Sequence, residues 1–408
     1  MKPLRIVFLT QWFDPEPMLK GLGFAQALAA RGHVVEVVTG FPNYPEGRLY
    51  AGYRIRAIRR ETAGAVQITR LALYPSHSNS KVGRIANYLS FWFTSFLYLL
   101  FFAKKADVIY VYHPPMTVGL AAAMARVFRR TPTVLEIQDM WPDTLRATGM
   151  MNNERVLRLV GAVCRWVYRH VDHIIVISNG FARLLAERSV PLAKIDIIPN
   201  WAPETADAKP LVPGAMPFYA NHTFRLLFAG NIGAAQGLSS VLRAARVIQE
   251  THPEIGFYFL GSGIAVAGLQ AEAQAMHLTN VVFLPRVAMN QVDAYLQAAD
   301  ALLVHLRDDP LFAITIPSKT QAYLAAGKPI IMAVAGDAAD LVTRSGAGMI
   351  VPPEDPMALV KAVVALAQLS PAERIRLGQN ARAFYMAELS MDRAVLRLEA
   401  IFQTLRRG

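Results

Sequence analysis

The stretch ITIPSKTQAYLAAGKPII, residues 314–331, reads as a loop, a short helix and a buried strand in succession. Pro317 and Ser318 stand where a helix would begin, because proline is pre-set for a first helical turn and a serine hydroxyl accepts from free backbone N–H groups. Gly327 ends the helix, and Lys328-Pro329 leads into the apolar run Ile330-Ile331-Met332-Ala333-Val334. Such a unit belongs to an α/β architecture. Open amides at the helix start, beside the cation Lys319, form a ready site for an anion, a phosphate above all. The competing reading is an ordinary helix cap.

The surrounding chain has 408 residues, enough for two domains with a core each. Apolar strands alternate with helical segments in both halves. In the first, Ile6–Thr10, His33–Thr39 closed by Gly40, Asp107–Tyr112, Thr133–Ile137 and His173–Ser178 read as strands, with a helix over Gly21–Arg31. Five proline and glycine positions between Trp201 and Phe224 (Pro203, Pro210, Pro213, Gly214, Pro217) mark a linker. The pattern then restarts with Phe224–Ala229, Phe257–Leu260, Val281–Leu284, Ala301–His305, Pro329–Val334 and Met349–Val351. The expected organisation is an N-terminal domain over 1–202, a linker over 203–223 and a C-terminal domain over 224–408, each doubly wound around a parallel sheet. The closing helix, Met391–Arg406, continues that logic and carries no evident chemistry.

Hydrophobic residues make up 53% and charged ones 18%, with a mean hydropathy of +0.28, which is apolar for a soluble enzyme. The single cysteine, Cys164, excludes an intrachain disulfide and reads as core filler within its apolar segment, not as a nucleophile. The N-terminal apolar run ends at Thr10, too short for a signal peptide, so a cytoplasmic location is expected. The net charge of +12 divides unevenly. Residues 1–200 carry 25 Lys+Arg against 13 Asp+Glu, giving +12, while residues 201–408 carry 17 against 17, giving zero. This asymmetry points to an anionic surface as partner. Nucleic acid ranks below acidic lipid, because no basic region is interleaved with base-stacking aromatics and no zinc spacing occurs.

Residues 85–103, IANYLSFWFTSFLYLLFFA, lack any charge and are flanked by Lys81, Arg84, Lys104 and Lys105. As a helix they would rise roughly 28 Å against a bilayer core of about 30 Å. Crossing would strand half of the first sheet on the far side. Asn87, Ser90, Thr94 and Ser95 also dilute the apolarity, while Tyr88, Phe91, Trp92, Phe93 and Tyr98 suit an interface. The preferred expectation is a monotopic helix lying in one leaflet; a long buried helix of the fold is the alternative.

The second half opens with Leu226-Leu227-Phe228-Ala229-Gly230-Asn231-Ile232-Gly233-Ala234-Ala235-Gln236-Gly237, a strand running into a glycine-rich turn and then a helix over Leu238–Glu250. A second turn, Gly261-Ser262-Gly263, ends the next strand. Glycines let a backbone approach a diphosphate, although neither turn matches a dinucleotide fingerprint or a P-loop. With Lys319 at a third strand-end turn, phosphate binding is favoured over mere turn formation.

From these residues the chain resembles glycosyltransferase family 4, the retaining sugar-nucleotide transferases of GT-B fold. The helix ending Ala325-Ala326-Gly327-Lys328-Pro329 is similar to that family. Its subgroup building bacterial surface polysaccharides (O-antigen, capsule, colanic-acid type) is resembled at Gly40-Phe41-Pro42-Asn43-Tyr44-Pro45, Glu136-Ile137-Gln138-Asp139-Met140-Trp141-Pro142, Ile198-Pro199-Asn200-Trp201, Arg307-Asp308-Asp309-Pro310-Leu311-Phe312 and Pro317-Ser318-Lys319. The resemblance implies an α/β protein with two doubly wound Rossmann-like domains facing across a cleft. It implies transfer from a nucleotide diphosphate-sugar, by subgroup a UDP-linked N-acetylated deoxyhexosamine, to a lipid-linked saccharide at the inner-membrane surface, without cofactor or metal. In the donor half, Gly230, Asn231, Gln236 and Gly237 would frame the phosphate turn, with Gly261, Gly263, Ser318 and Lys319 facing the donor and Arg286 the base. In the other half, Lys20, Gly21 and Gly23 would approach the phosphates. Glu136 would bind substrate, and His113 and Asp139 would contact the reacting groups. A capped loop histidine is the plain alternative for His113, and a turn cap for Glu136 and Asp139. The two glutamates usual in the family are replaced by Ile314 and Ala322, and the usual basic pair of the first turn by Asn231 and Gln236. A non-catalytic nucleotide-sugar-binding component and a GT-B-fold epimerase remain the rival classes.

Overall fold

The computed structural model describes residues 2–76, 81–113, 115–147, 150–202 and 222–407, and the linker expected over 203–223 lies almost wholly outside them. The chain divides into two compact units, residues 1–199 with 394–408, and residues 200–393.

The first unit is built on strands β1 (Arg5–Thr10), β2 (Val34–Gly40), β3 (Ile58–Ala63), β4 (Val66–Leu71), β5 (Val108–His113), β6 (Thr133–Ile137), β7 (His173–Val176) and β8 (Ile195–Ile197). Its helices are α1 (Leu22–Ala30), α2 (Lys81–Leu97), α3 (Met116–Arg129), α4 (Asp143–Ala147), α5 (Glu154–His170) and α6 (Asn179–Glu187). The strand order is β3-β4-β2-β1-β5-β6-β7-β8, parallel except for β3 against β4. Val7, Phe8, Val37, Tyr110, Val111 and Leu135 are buried, as continuous apolar strands between two helical layers must be.

The β3–β4 hairpin is not anticipated by the apolar pattern. β3 is an edge strand of sequence IRRETA, and Arg70 of β4 is 2% exposed, ion-paired with Glu61 and donating to the carbonyls of Gly40 (3.3 Å) and Asp14 (2.6 Å). Its charge is satisfied internally, so no hydrophobic run marks the strand.

Helix α2 continues into a π-helical turn, Tyr98–Phe102. Its polar residues face the protein. Asn87, 1% exposed, accepts from Gln11 Nε2 (2.6 Å) and donates to the Tyr74 carbonyl (2.7 Å); Thr94 donates to the Ala72 carbonyl (2.8 Å), and the Tyr98 hydroxyl to Glu36 (2.6 Å). Val82, Ile85, Leu89, Phe93, Phe101 and Phe102 are instead exposed. The inward face thus mixes polar groups with the buried Phe91 and Leu99, while a second apolar stripe is left exposed. This differs from the core helix held open as an alternative.

The second unit holds β9 (Phe224–Ala229), β10 (Ile255–Leu260), β11 (Val281–Leu284), β12 (Ala301–His305), β13 (Ile330–Ala333) and β14 (Gly348–Ile350) in the order β11-β10-β9-β12-β13-β14, all parallel. This is the doubly wound order 3-2-1-4-5-6, with its switch point between β9 and β12. The helices are α7 (Ser239–Thr251), α8 (Val266–Ala275), α9 (Met289–Ala298), α10 (Pro310–Ala313), α11 (Ser318–Ala326), α12 (Asp337–Ser345), α13 (Pro356–Gln368) and α14 (Pro371–Phe384); α15 (Met391–Arg407) follows.

Most of α15 belongs with the first unit and not, as expected, with the second. Phe402, fully buried, meets Tyr110 with ring centroids 5.6 Å apart; Arg31 pairs with Glu399 at 2.5 Å, and Gln403 donates to the Lys2 carbonyl at 2.7 Å. Replacing Phe402 with Ala is expected to cost about 3–5 kcal/mol. The loss should show as faster amide exchange in β1 and β5, with β9 and β12 unaffected.

Candidate functional site

In an open doubly wound sheet, ligands meet the carboxyl ends of the strands at the switch point. In the second unit that point carries the turn after β9. Gly230 N donates to Leu260 O (2.9 Å), Ile232 N to Ser262 O (2.9 Å) and Ala265 N to Ile232 O (3.1 Å), so the turns after β9 and β10 are joined backbone to backbone. Gly261 (φ +147°) and Gly263 (φ +159°) permit this approach, since a Cβ on either would collide with the carbonyl of Gly230 or Ile232. Their visible role is therefore to support the first turn. Gln236 also serves the turn, its Oε1 accepting from Gly233 N at 2.9 Å, and Gly237 closes it in the left-handed conformation. Gly230 and Asn231 are exposed, as is Arg286 on the β11–α9 connection.

Lys319 lies in the first turn of α11, with Nζ 3.4 Å from the centroid of the Phe228 ring; a Cβ built on Gly230 would stand 3.5 Å from it. The residue is half-buried, yet its ammonium is shut off from solvent and has no hydrogen-bond partner among the described residues. Burial pushes its pKa down to about 7. The hydroxyl of Thr320 beside it is likewise buried and unsatisfied. Ser318 is exposed and is the first helical residue; Pro317 holds the N-cap position without a side-chain cap, so the expected serine cap does not form. A buried cation and a helix start without a side-chain cap thus lie beside the glycine turn.

His305, at the end of β12, carries no motif that singles it out in the sequence. Its Nδ1 is 2.6 Å from the Gln236 carbonyl and its Nε2 3.0 Å from Ser240 Oγ, which donates to the Gly237 carbonyl at 2.8 Å. Desolvation lowers its pKa, and the charges of Lys319 and Arg243 act in the same direction, while the Gln236 carbonyl and Glu354 oppose. His305 thus ties the end of β12 to the glycine turn and to Ser240 of α7.

In the first unit the switch point lies between β1 and β5. Lys20 and Glu136, both expected at substrate, are ion-paired with side chains 1% and 0% exposed. Lys20 also donates to the Tyr110 oxygen (3.0 Å), the Tyr110 hydroxyl donates to Glu136, and Gln138 Nε2 donates to Glu136 (2.5 Å). Desolvation lowers the Lys20 pKa against the opposing pull of Glu136. The pair ties the β1–α1 loop to the end of β6. Gly21 caps α1 from a position where a Cβ would strike Asp14, whose carboxylate accepts from Leu22 N at 2.5 Å. An anion of the chain itself therefore sits at that helix start, while Gly23 faces open space.

The other acid expected at the site is Asp139. It is half-buried on the β6–α4 connection, its carboxyl has no hydrogen-bond partner among the described residues, and desolvation raises its pKa. Tyr88 and Tyr112 lie within its field, burial being the first cause of the upward shift in each. Trp12 packs against Tyr44 (4.9 Å) and Tyr88 (6.3 Å), joining the loop after β1, the loop after β2 and helix α2. Glu16, 2% exposed, fixes two of these loops by accepting from Phe13 (2.9 Å), Asn43 (2.8 Å) and Tyr44 (2.8 Å) amides. His113 closes β5 opposite Ile137, and its side chain lies outside the described part of the structure.

A glycosyl transferase 4-like domain model matches residues 22–201, and a glycosyl transferases group 1 model matches residues 220–384. The chain is 29% identical over 325 residues to glycosyl transferase WcaI of Escherichia coli (strain K12), assigned to colanic acid biosynthesis, covering 76% of this chain and 79% of that protein. It is 25% identical over 274 residues to glycosyltransferase WbjE of Pseudomonas aeruginosa, covering 65% and 68%. Among solved structures, Anabaena Alr3699/HepE in complex with UDP aligns with TM-score 0.66 at 15% identity, over 98% of this chain and 100% of that one. Two doubly wound units whose sequences match these two domain models in order define a GT-B glycosyltransferase. The chain belongs to glycosyltransferase family 4.

The Lys20–Glu136 pair and Asp139 should separate in mutagenesis. Removing one partner of a buried pair costs about 3–5 kcal/mol, so Glu136→Gln should lower the urea midpoint of the first unit. Asp139→Asn should change stability by about 0.5 kcal/mol or less.

Proposed function

We propose that this protein transfers a sugar, with retention of anomeric configuration and without a metal, from a UDP-linked donor to a lipid-linked saccharide during assembly of a bacterial surface polysaccharide. An N-acetylated deoxyhexosamine is the sugar class we assign, at the cytoplasmic face of the inner membrane. The observation that carries the reading is the unpartnered Lys319 ammonium beside Gly230. A buried cation without a counter-ion is costly, and a diphosphate would supply the missing charge. The UDP bound by Alr3699/HepE and the pathway of WcaI support the donor and the product class.

In the reaction the bond from the anomeric carbon to the diphosphate oxygen breaks as the acceptor hydroxyl attacks on the same face. Its proton passes to the departing phosphate. Lys319 and the amides at the start of α11 stabilise the charge that grows on the leaving group, an effect of the oxyanion-hole kind. His305 holds the Gly230–Gly237 turn in place for that contact. Asp139 accepts a hydroxyl of the acceptor between the aromatic walls of Tyr88 and Tyr112.

The exposed apolar stripe of α2 and the turn that follows it (Val82, Ile85, Leu89, Phe93, Phe101 and Phe102) supports membrane attachment. Val82–Phe102 is long and apolar enough to cross a bilayer by length and composition. Its inward hydrogen bonds nonetheless bind it to the sheet, so it rests in one leaflet with Leu89 and Phe93 inserted. Leu89→Ser combined with Phe93→Ser should reduce sedimentation with vesicles by about tenfold or more, since each side chain contributes about 1.5–3 kcal/mol on burial. Undiminished sedimentation would remove the membrane part of the proposal.

Calorimetry with UDP tests the donor site. Lys319→Ala should weaken UDP binding at least tenfold, and the wild type should show a distinctive pH dependence. Lys319 is half-charged near pH 7 in the free protein and fully charged when paired with diphosphate, so binding takes up a proton above pH 7. The dissociation constant should rise by up to about tenfold per pH unit between pH 7 and 9, and Lys319→Arg should flatten that slope. Unchanged UDP binding in Lys319→Ala, together with no turnover of any UDP-sugar on a lipid-linked acceptor, would sink the reading.

A further inference from the structure

A cationic cavity lies in the first unit, away from the switch point. It has a volume of about 330 Å³ and is lined by Arg146, Arg158, Arg165, Arg188, Tyr168 and Cys164, with one carboxylate, Glu154, also on its wall. That volume falls within the range of small-molecule clefts, about 300–1,000 Å³. α5 supplies the stripe Arg158, Gly161, Cys164, Arg165, Tyr168, residues three and four apart that share one helix side.

The charges do not cancel. Arg188 is ion-paired with Asp143 and Arg146 with Glu154 (3.0 Å). Arg158 contributes only a 3.4 Å bond to the Glu154 carbonyl, and Arg165 has no ion pair among the described residues. Four guanidinium groups against two carboxylates leave a charge of +2. The Tyr168 residue is 2% exposed, and its hydroxyl finds no nitrogen or oxygen partner among the described residues. Its polar neighbour is the Cys164 thiol, a weak acceptor whose own pKa burial drives up to about 12, so it stays protonated. Two guanidinium groups without an ion pair among the described residues, and a tyrosine hydroxyl with only a weak thiol neighbour, thus line the same space.

We propose that this cavity is a phosphate-binding subsite, distinct from the donor site and not dependent on the reading above. A phosphate dianion neutralises the +2, offers enough oxygen atoms for both forks and accepts from the Tyr168 hydroxyl. The phosphate is either free or the headgroup of an anionic lipid. Leu159 (65% exposed) and Trp166 (36% exposed) on the same helix favour the lipid.

Two arms test the subsite and tell the sources apart, each with wild type, Arg158→Ala/Arg165→Ala and Tyr168→Phe. Calorimetry with inorganic phosphate reads the free anion. Sedimentation with phosphatidylcholine vesicles, with and without phosphatidylglycerol, reads the lipid. Free phosphate as ligand predicts saturable binding that weakens about tenfold in both variants. Lipid as ligand predicts about a tenfold loss of the phosphatidylglycerol-dependent partition in the double variant, with partition to pure phosphatidylcholine unchanged. Both replaced arginines are exposed, so folding should persist, as circular dichroism will check. Wild-type behaviour of the folded double variant in both arms would overturn the proposal.

Discussion

An ammonium held away from water with no counter-ion is tolerated in a folded protein only if its surroundings soften the cost. Lys319 meets that condition by resting on the face of Phe228 and by titrating near neutrality. Phe228 comes from β9, the central strand, and the turn that follows β9 passes beside the same nitrogen. The second turn braces the first through main-chain bonds, and His305 locks it from β12. The carboxyl edge of the second sheet is an arrangement of backbone around one poorly satisfied cation, and it is built from glycines more than from charged side chains.

The first unit handles charge in the opposite way. Lys20 and Glu136 are buried but satisfy each other, with Tyr110 and Gln138 completing the set. Glu16 is buried against three amides. These groups are spent on holding loops at the carboxyl edge of the sheet. The loops in turn carry the aromatic side chains and Asp139, whose carboxyl is left available. Burial alone does not mark a functional residue; the distinction lies in whether its hydrogen-bonding capacity is already used.

Much of this was legible in the sequence. Continuous apolar runs such as Ile6–Thr10 and Phe224–Ala229 can only be interior parallel strands, and each proved to be one. Strand-end glycines and Lys319 pointed to the second unit as the candidate phosphate half, and the fold does bring Lys319 beside Gly230. The β3–β4 hairpin escaped since Arg70 is solvated by carbonyls and a glutamate far away in sequence. The allegiance of α15 escaped for the same reason, as the contact of Phe402 with Tyr110 has no local signature. Lys20 and Glu136 were read as ligand contacts because residue type and position at a strand end are visible in sequence, while their mutual pairing is not. His305 offered no signal beyond its place after an apolar strand.

The main-chain seam between the two glycine turns has a consequence for how such a site diversifies. Gly261 and Gly263 cannot gain side chains without forcing the turn after β9 to move. The floor of the site is therefore frozen, and variation is channelled to the few exposed positions around it, Asn231 and Ala234 within the turn and Arg286 on the neighbouring connection. A lineage built on this scaffold would be expected to change its choice of nucleotide sugar by drift at those rim positions, while the backbone beneath them stays invariant.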